Sequence, residues 1–153
     1  MRISSPAFKD KQTLPVQYTC DGENISPPLE FGEIPTNAKS LVLLMEDPDT
    51  PRDVSPDGMW DHWIVYNIPP TTTVVELGQN PPGVLGLNTS GGRTYQPACP
   101  PSGEHRYFFK LIALDSLLEF DDPSKVTKKI IEDEMEDHII DQAELVGLYS
   151  RKI

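Results

Sequence analysis

The sequence predicts a mainly β fold, a β-sandwich with one helix near the C-terminus. Three observations support this prediction. Most apolar runs have the length of strands, 16 prolines among 153 residues disfavour long helices, and only one late segment has helical spacing. Because no shift in composition divides the chain, we predict a single domain over residues 1–153.

The first clear strand is the continuously apolar run SLVLLM at residues 40–45, which is bounded by turn formers. Such a run is typical of a strand that is buried on both faces. The sequence EDPDTP follows, so Asp47 lies at the end of a central strand, where a buried carboxylate needs a histidine or tyrosine donor. We therefore assign Asp47 to a site, and interpret Asp49, Asp53 and Asp57 as turn residues that bind backbone N–H groups.

The second clear strand is DHWIVYNIP at residues 61–69, which begins with an acid and a histidine and stops at a proline. Its alternation places two sets of side chains on opposite faces. One face is predicted to hold His62, Ile64, Tyr66 and Ile68. The other face is predicted to hold Trp63, Val65 and Asn67.

The third strand, EHRYFFKLIAL at residues 104–114, also begins next to a histidine. Alternation predicts that His105 and Tyr107 point the same way, together with Phe109 and Leu111, and that Arg106, Phe108 and Lys110 point the other way. Both histidine-led strands follow turn-rich segments. We therefore predict that His62, His105 and Tyr107 form a polar pocket, whereas His138 lies in an acidic helix.

The sequence signals for the remaining turns, helix and strand are weaker. Residues 68–103 hold Pro-Pro, Gly-Gly and Asn-Pro pairs, which predict a long set of turns. After DDPS at 121–124, spacing predicts an amphipathic helix to about Asp141. The apolar positions of this helix are Val126, Ile130, Ile131, Met135 and Ile139. The segment AELVGLYSRK at 143–152 predicts a last strand, with Gly147 at a bulge or a point of close packing.

Charge and composition set expectations about partners and location. The formal net charge is −11 and no run of Lys and Arg occurs, so we expect no nucleic acid partner. Neither a secretory apolar region nor a membrane-spanning apolar stretch is present, so we expect no integral membrane segment and a cytoplasmic location. In that compartment Cys20 and Cys99 fit two reduced thiols better than a disulfide, although one bridge stays open.

The sequence gives little support to two other interpretations of the acids and cysteines, a calcium site and a hydrolase site. A calcium-binding loop at 47–58 would need an acid or Asn at its fifth position and a glycine at its sixth, where the sequence has Pro51 and Arg52. We therefore predict no bound metal. We also predict no cofactor. A weak hydrolase would use Asp47 with a histidine, or Cys99 with His105, but no catalytic signature supports either. We therefore predict a protein that is not an enzyme.

The donors expected at the pocket suit an anion. Imidazole and phenol groups, together with backbone N–H groups of residues 100–104, would bind a phosphate or a carboxylate. The overall negative charge opposes an anion, but screening beyond about 8 Å at physiological salt leaves the local donors to decide.

Several motifs, in order along almost the whole chain, resemble one known family. They are ISSPAF (3–8), YTCDGENISPPLEF (18–31), DPDTP (47–51), WDHWIVYNIP (60–69), CPPSGEHRYFF (99–109) and AELVGLYSR (143–151). The chain resembles the phosphatidylethanolamine-binding proteins, specifically their bacterial and archaeal Raf kinase inhibitor-like branch. The resemblance implies a mainly β fold, a sandwich of two antiparallel sheets with peripheral helices including one near the C-terminus, and a small pocket for phosphate-like or other anionic groups. The pocket residues that it implies are Asp47, Pro51, Trp60, His62, His105 and Tyr107.

The resemblance also implies an alternative function, inhibition of a kinase or a serine protease through the pocket rim. The prolines would hold this rim, and the sequence leaves open whether one of their peptide bonds is cis. Where the family has a Gly-Pro pair in the loop before the pocket, this chain has Pro97 and Ala98, which predicts a reshaped or weaker anion site because proline lacks an N–H. A monomer and a homodimer both fit the sequence, and relatives favour the homodimer.

Overall fold

The computed structural model describes residues 1–151 and confirms the mainly β prediction. Within these residues the strands, in chain order, are β1 (Arg2–Ser4), β2 (Gln12–Thr13), β3 (Leu29–Gly32), β4 (Ser40–Asp47), β5 (Trp60–Ile68), β6 (Val74–Val75), β7 (Val84–Leu85), β8 (His105–Leu114) and β9 (Ile139–Tyr149). The helices are α1 (Lys128–Met135) and three short 3₁₀ helices, Val16–Tyr18, Pro123–Lys125 and Glu136–His138. No helix among the described residues has the length and apolar character needed to cross a bilayer.

The strands form two sheets. A three-stranded sheet has the order β1–β3–β6, and a six-stranded sheet has the order β2–β9–β8–β4–β5–β7. Every strand pair is antiparallel except β2 with β9, which is parallel. The apolar run of β4 lies in the middle of the larger sheet and is buried over its whole length, as its sequence predicts.

Each face of the larger sheet covers its own apolar cluster. Alternate residues of β4, such as Leu41, Leu43 and Met45, pack between the two sheets with Phe31 of the small sheet. The intervening residues of β4 pack on the other face against α1, whose buried Ile131 and Met135 complete a second cluster. Because β4 belongs to both clusters, it needs apolar side chains at nearly every position.

The predicted C-terminal helix is too long. A turn of 3₁₀ helix comes first, and α1 then begins after Thr127, whose hydroxyl accepts the Ile130 N–H at 3.4 Å. Ile139 is not helical, because it starts β9 and pairs with Leu114 of β8. Ile130, which was expected on the buried stripe, is 41% exposed. Pairing with a long neighbouring strand has overridden the local helical spacing.

The last strand, β9, begins earlier than predicted and ends at Tyr149; Lys152 of the predicted segment lies outside the described residues. A side-chain carbon placed at Gly147 would lie 3.2 Å from the Phe8 ring and 3.4 Å from Leu14. The glycine therefore serves close packing, which is one of the two roles predicted for it.

The predicted faces of β5 are wrong at both ends. Ile64 and Tyr66 pack on the side of α1, but Ile68 lies on the opposite face with Trp63 and Val65. The register explains the change, because Leu41 pairs with Ile68 whereas Leu43 pairs with Val65, which leaves one extra residue in β5. Such β-bulges cannot be read from alternation, since they shift every later side chain to the other face.

One residue marks this first bulge. Asn67 adopts a left-handed conformation with φ of 53°, which asparagine tolerates better than most residues. Its side chain forms two hydrogen bonds of 2.8 Å with the backbone of Leu118: Nδ2 donates to the Leu118 carbonyl, and Oδ1 accepts the Leu118 N–H.

The cysteines correct another prediction. Cys20 and Cys99 form a disulfide with a Cα–Cα distance of 5.4 Å, so the two reduced thiols predicted from composition are wrong. The two cysteines are 79 residues apart in the sequence, so no local pattern indicates that they pair. In the structure their segments lie side by side, and the Cys20 N–H donates to the Ala98 carbonyl at 3.0 Å. The cytoplasmic location, for which reduced thiols were the expected state, stays a prediction.

Candidate functional site

A cavity of about 220 Å³ lies where β4 ends and β5 begins, close to the start of β8. Because β4 runs antiparallel to both neighbours, its C-terminal end lies beside the N-terminal parts of β5 and β8: Asp47 pairs with Trp60, and Glu46 pairs with Phe108. The cavity is lined by Asp47, Thr50, Val54, Trp60, His62, Gln96, Pro97, Cys99, Pro101 and Tyr107.

Asp47 has the donor that its burial was predicted to require. Its Oδ2 lies 2.6 Å from Nδ1 of His105, and its Oδ1 accepts the Asp49 N–H at 2.8 Å. The other ring nitrogen of His105, Nε2, lies 3.1 Å from the carbonyl oxygen of Ser102. Since both partners of the ring are acceptors, His105 carries a proton on each nitrogen and forms a buried ion pair with the Asp47 carboxylate.

His105 is not part of the cavity lining; it supports the site by binding Asp47, which is. The ring of His105 is roughly parallel to that of Tyr107, with centroids 6.4 Å apart, as expected for side chains on one face of β8. The prediction that these two residues point the same way is confirmed.

His62 reaches the cavity by way of a second β-bulge. Met45 pairs with Trp63 but Glu46 pairs with Asp61, so His62 is an extra residue and turns away from the face of Ile64 that alternation predicted. Its ring packs edge-on against Tyr107 with centroids 5.4 Å apart.

The protonation of His62 follows from its contacts. Nδ1 lies 2.8 Å from the carbonyl oxygen of Gln96, so this nitrogen carries a proton and donates it. Burial lowers the pKa of His62, against the opposing effects of the Gln96 carbonyl and of Asp47. The ring is therefore neutral near pH 7, and Nε2 carries a lone pair that accepts a hydrogen bond.

Tyr107 supplies a polar group that the protein does not use. The residue is fully buried, and among the described residues its hydroxyl has no hydrogen-bond partner. Burial, followed by the charge of Asp47, raises the pKa of Tyr107 well above its usual value, so the hydroxyl keeps its proton. A buried donor without a partner costs about 1–3 kcal/mol, which singles out this hydroxyl in the cavity wall.

The other implied pocket residues have different positions. Trp60 lines the cavity, but its Nε1–H already donates to Oε1 of Gln96 at 2.8 Å. Pro51 is not part of the lining; its carbonyl accepts the N–H groups of Val54 and Ser55, both at 2.9 Å, and so starts the loop that forms the rim. All peptide bonds of the described residues are trans, including those of the rim prolines.

Sequence reasoning missed Gln96 as a central residue of the site. Its backbone exchanges hydrogen bonds with His62, since its N–H donates to the His62 carbonyl at 2.9 Å and its carbonyl binds the His62 ring. It lies in the turn-rich segment, where neither periodicity nor a motif marks it. Pro97 beside it lines the cavity without offering an N–H, as its identity predicted.

Fold and site together define a class: a β-sandwich protein with a small cavity at the end of its central strands, walled by an aspartate, a histidine and a tyrosine. Comparison with known families gives the assignment. Residues 4–150 match the family described as phosphatidylethanolamine-binding protein, and the chain belongs to this family. The resemblance seen in the sequence motifs is confirmed.

Individual relatives cover the whole chain. A UPF0098 protein of Chlamydia pneumoniae is 48% identical over 151 residues and one of Methanothermobacter thermautotrophicus is 46% identical over 157, with 99% of each chain covered in both cases. The crystal structure of a phosphatidylethanolamine-binding protein homologue from Chlamydia trachomatis matches with a TM-score of 0.94 and 45% identity, covering 99% of this chain and 97% of that one. E. coli YbcL matches with a TM-score of 0.87 and 30% identity, covering 99% and 98%.

Proposed function

We propose that this protein is a non-enzymatic binding protein whose cavity takes a small anionic group of the phosphate or carboxylate type. The observation that carries the proposal is the Tyr107 hydroxyl, a buried donor that has no partner among the described residues and belongs to a residue of the cavity lining. A ligand oxygen would satisfy it and remove the cost of its burial. Family membership supports the same pocket, since Asp47, Trp60, His62 and Tyr107 line one cavity.

The contacts narrow down which groups bind the ligand. The indole of Trp60 and both nitrogens of His105 already donate to protein oxygens. The groups that we assign to recognition are then the donor hydroxyl of Tyr107 and the acceptor Nε2 of His62. This pair suits a singly protonated phosphate ester, which both accepts and donates, or a fully ionised anion once His62 has taken up a proton.

The affinity for an anion should fall as pH rises. The pKa of free His62 lies below its ordinary value because the ring is buried. A bound anion favours the protonated ring, so binding takes up a proton from solution above that pKa. For sulfate, whose charge is constant in this range, we expect affinity to fall steadily from pH 6.5 to pH 8, with about tenfold per pH unit as the upper limit for the uptake of one proton, measured by calorimetry.

The matched control is His62→Asn, which removes the titrating group but keeps a polar side chain. Its affinity for sulfate should be weaker and nearly independent of pH. A wild-type affinity that is constant or rises with pH would show that His62 does not contact the anion.

A second candidate function is inhibition of a kinase or serine protease by the pocket rim. Its support is the loop of residues 51–58, in which Val54 lines the cavity edge and is nevertheless 51% exposed. An apolar side chain at the mouth of a polar cavity suits contact with a protein partner. Assays against a panel of such enzymes, with wild type and Val54→Asp, test it; inhibition that the substitution leaves unchanged would exclude the rim.

Of the three candidate functions, a weak hydrolase activity has the least support. Of its two proposed nucleophile and base pairs, Cys99 with His105 is blocked while Cys99 is bonded to Cys20. The other pair would need Asp47, whose two oxygens are bound by His105 and by the Asp49 N–H. Each oxygen of Asp47 thus already accepts a hydrogen bond from the protein and is not free to bind a nucleophile.

A further inference from the structure

Two carboxylates face each other on the side of the larger sheet opposite the cavity. Glu46 of β4 pairs directly with Asp61 of β5, and both side chains point toward α1. Glu46 is 4% exposed, and the Asp61 side chain is 21% exposed. Like charges directly opposite one another on adjacent strands destabilise the pairing.

A lysine from the first turn of α1 lies between them. Nζ of Lys128 is 2.7 Å from Oε2 of Glu46 and 2.7 Å from Oδ1 of Asp61, and its side chain is only 10% exposed. The contact with Asp61 is an ion pair rather than a well-aligned hydrogen bond. The second Glu46 oxygen pairs with Lys110. Lys128 is thus the group that lets Glu46 and Asp61 remain opposite each other.

The pKa shifts are consistent with this role. Burial opposes the charge of Lys128, yet the two carboxylates hold its pKa above the ordinary value. Burial raises the pKa of Asp61 despite Lys128. Asp61 therefore depends on the lysine to remain charged, and an unpaired buried carboxylate at this position would be costly.

The pairing of Glu46 with Asp61 has a consequence on the cavity side. Met45 pairs with Trp63, so placing Asp61 opposite Glu46 makes His62 the extra residue of the bulge. If Glu46 paired with His62 instead, the ring would point to the α1 side with Ile64, and the cavity would lose it. The backbone of Asp61 is also fixed by Thr89, which exchanges two hydrogen bonds with it, at 2.8 Å and 3.0 Å.

We propose that Lys128 is a positioning residue for the cavity: by neutralising Glu46 and Asp61 on one face of the sheet, it holds the bulge that places His62 on the other. The role of His62 as a ligand-binding group rests on the proposed function, whereas the effect of Lys128 on its position does not. Lys128 itself never contacts the cavity.

The experiment compares Lys128→Met with Lys129→Met. Lys129 is the adjacent residue and pairs with Asp133 on the exposed helix surface, so it is the matched control. Long-range ¹H–¹⁵N spectra of the ligand-free proteins report the tautomer of each histidine ring. In wild type and Lys129→Met we expect His62 fixed with its proton on Nδ1; in Lys128→Met we expect mixed tautomers at His62 and unchanged signals at His105.

A titration with sulfate at pH 6.5 gives the second readout. Lys128→Met should bind at least about tenfold more weakly than wild type, and Lys129→Met should bind equally. If wild type binds no sulfate, the proposed function fails while the tautomer comparison still tests Lys128. A fixed Nδ1–H tautomer in a folded Lys128→Met protein would overturn the positioning role.

A rescue variant covers the case in which Lys128→Met does not fold. Adding Asp61→Asn removes one of the two opposed charges, so the bulge no longer requires the lysine. The double variant Asp61→Asn with Lys128→Met should regain the fold and the Nδ1–H tautomer of His62. A double variant that folds without that tautomer would also contradict the proposal.

Discussion

Replacing Asp47 by alanine should lower the free energy of unfolding by roughly 3–5 kcal/mol, the usual cost of leaving one charge of a buried ion pair without its partner. The side chains of Asp47 and His105 are 5% and 6% exposed. The His105 proton would then lose its carboxylate acceptor 2.6 Å away, and the Asp49 N–H would lose its acceptor as well. Urea unfolding followed by circular dichroism measures the change.

Asp49→Ala is the matched control, because Asp49 lies two residues away and also forms an ion pair. Its partner Arg106 has a side chain that is 53% exposed, so water replaces most of what the substitution removes. We expect a loss below about 1 kcal/mol. Equal losses for the two variants would show that the Asp47–His105 pair is solvated and is not the buried support described above.

Tyr107→Phe should separate binding from stability. Removing the hydroxyl deletes the donor proposed to hold the anion, so the affinity for sulfate at pH 6.5 should drop by roughly ten- to a hundredfold, the value of a hydrogen bond to a charged group. Because that hydroxyl has no protein partner among the described residues, the free energy of unfolding should stay the same or rise by about 1 kcal/mol. Calorimetric titration and urea unfolding measure the two quantities.

Tyr95→Phe is the control, for which we expect a loss of stability without a loss of sulfate affinity. The Tyr95 hydroxyl donates to the Tyr18 carbonyl at 2.7 Å and is not part of the cavity lining. Its removal should cost about 1 kcal/mol of stability and leave sulfate affinity unchanged. If Tyr107→Phe instead loses stability and keeps its affinity, the hydroxyl has a structural partner and the anion binds elsewhere.

The sequence predicted those parts of the site that depend on one strand at a time. The buried run before Asp47 required a donor, and His105 provides it at 2.6 Å. Alternation along β8 correctly placed His105 and Tyr107 on one face. These inferences succeed because a continuous strand repeats every two residues and carries its own geometry.

The parts that failed depend on contacts between distant segments. Alternation put His62 on the wrong face, because the bulge beside it results from Asp61 pairing with Glu46 and from Lys128 of a helix far along the chain. Composition favoured reduced thiols. In the structure a β-bridge between Thr19 and Ala98 brings Cys20 next to Cys99, and the two cysteines form a disulfide. No local pattern contains either piece of information.

The cavity is proposed to bind an anion through His62 and Tyr107. The most direct test is an NMR titration of the three histidine rings with phosphoethanolamine at fixed pH and salt. His138 serves as the internal reference, because it is an exposed residue paired with Asp115. We expect saturable shifts that are largest at His62, smaller at His105, which binds Asp47, and absent at His138. Silence at His62, or equal drift of all three rings, would contradict it.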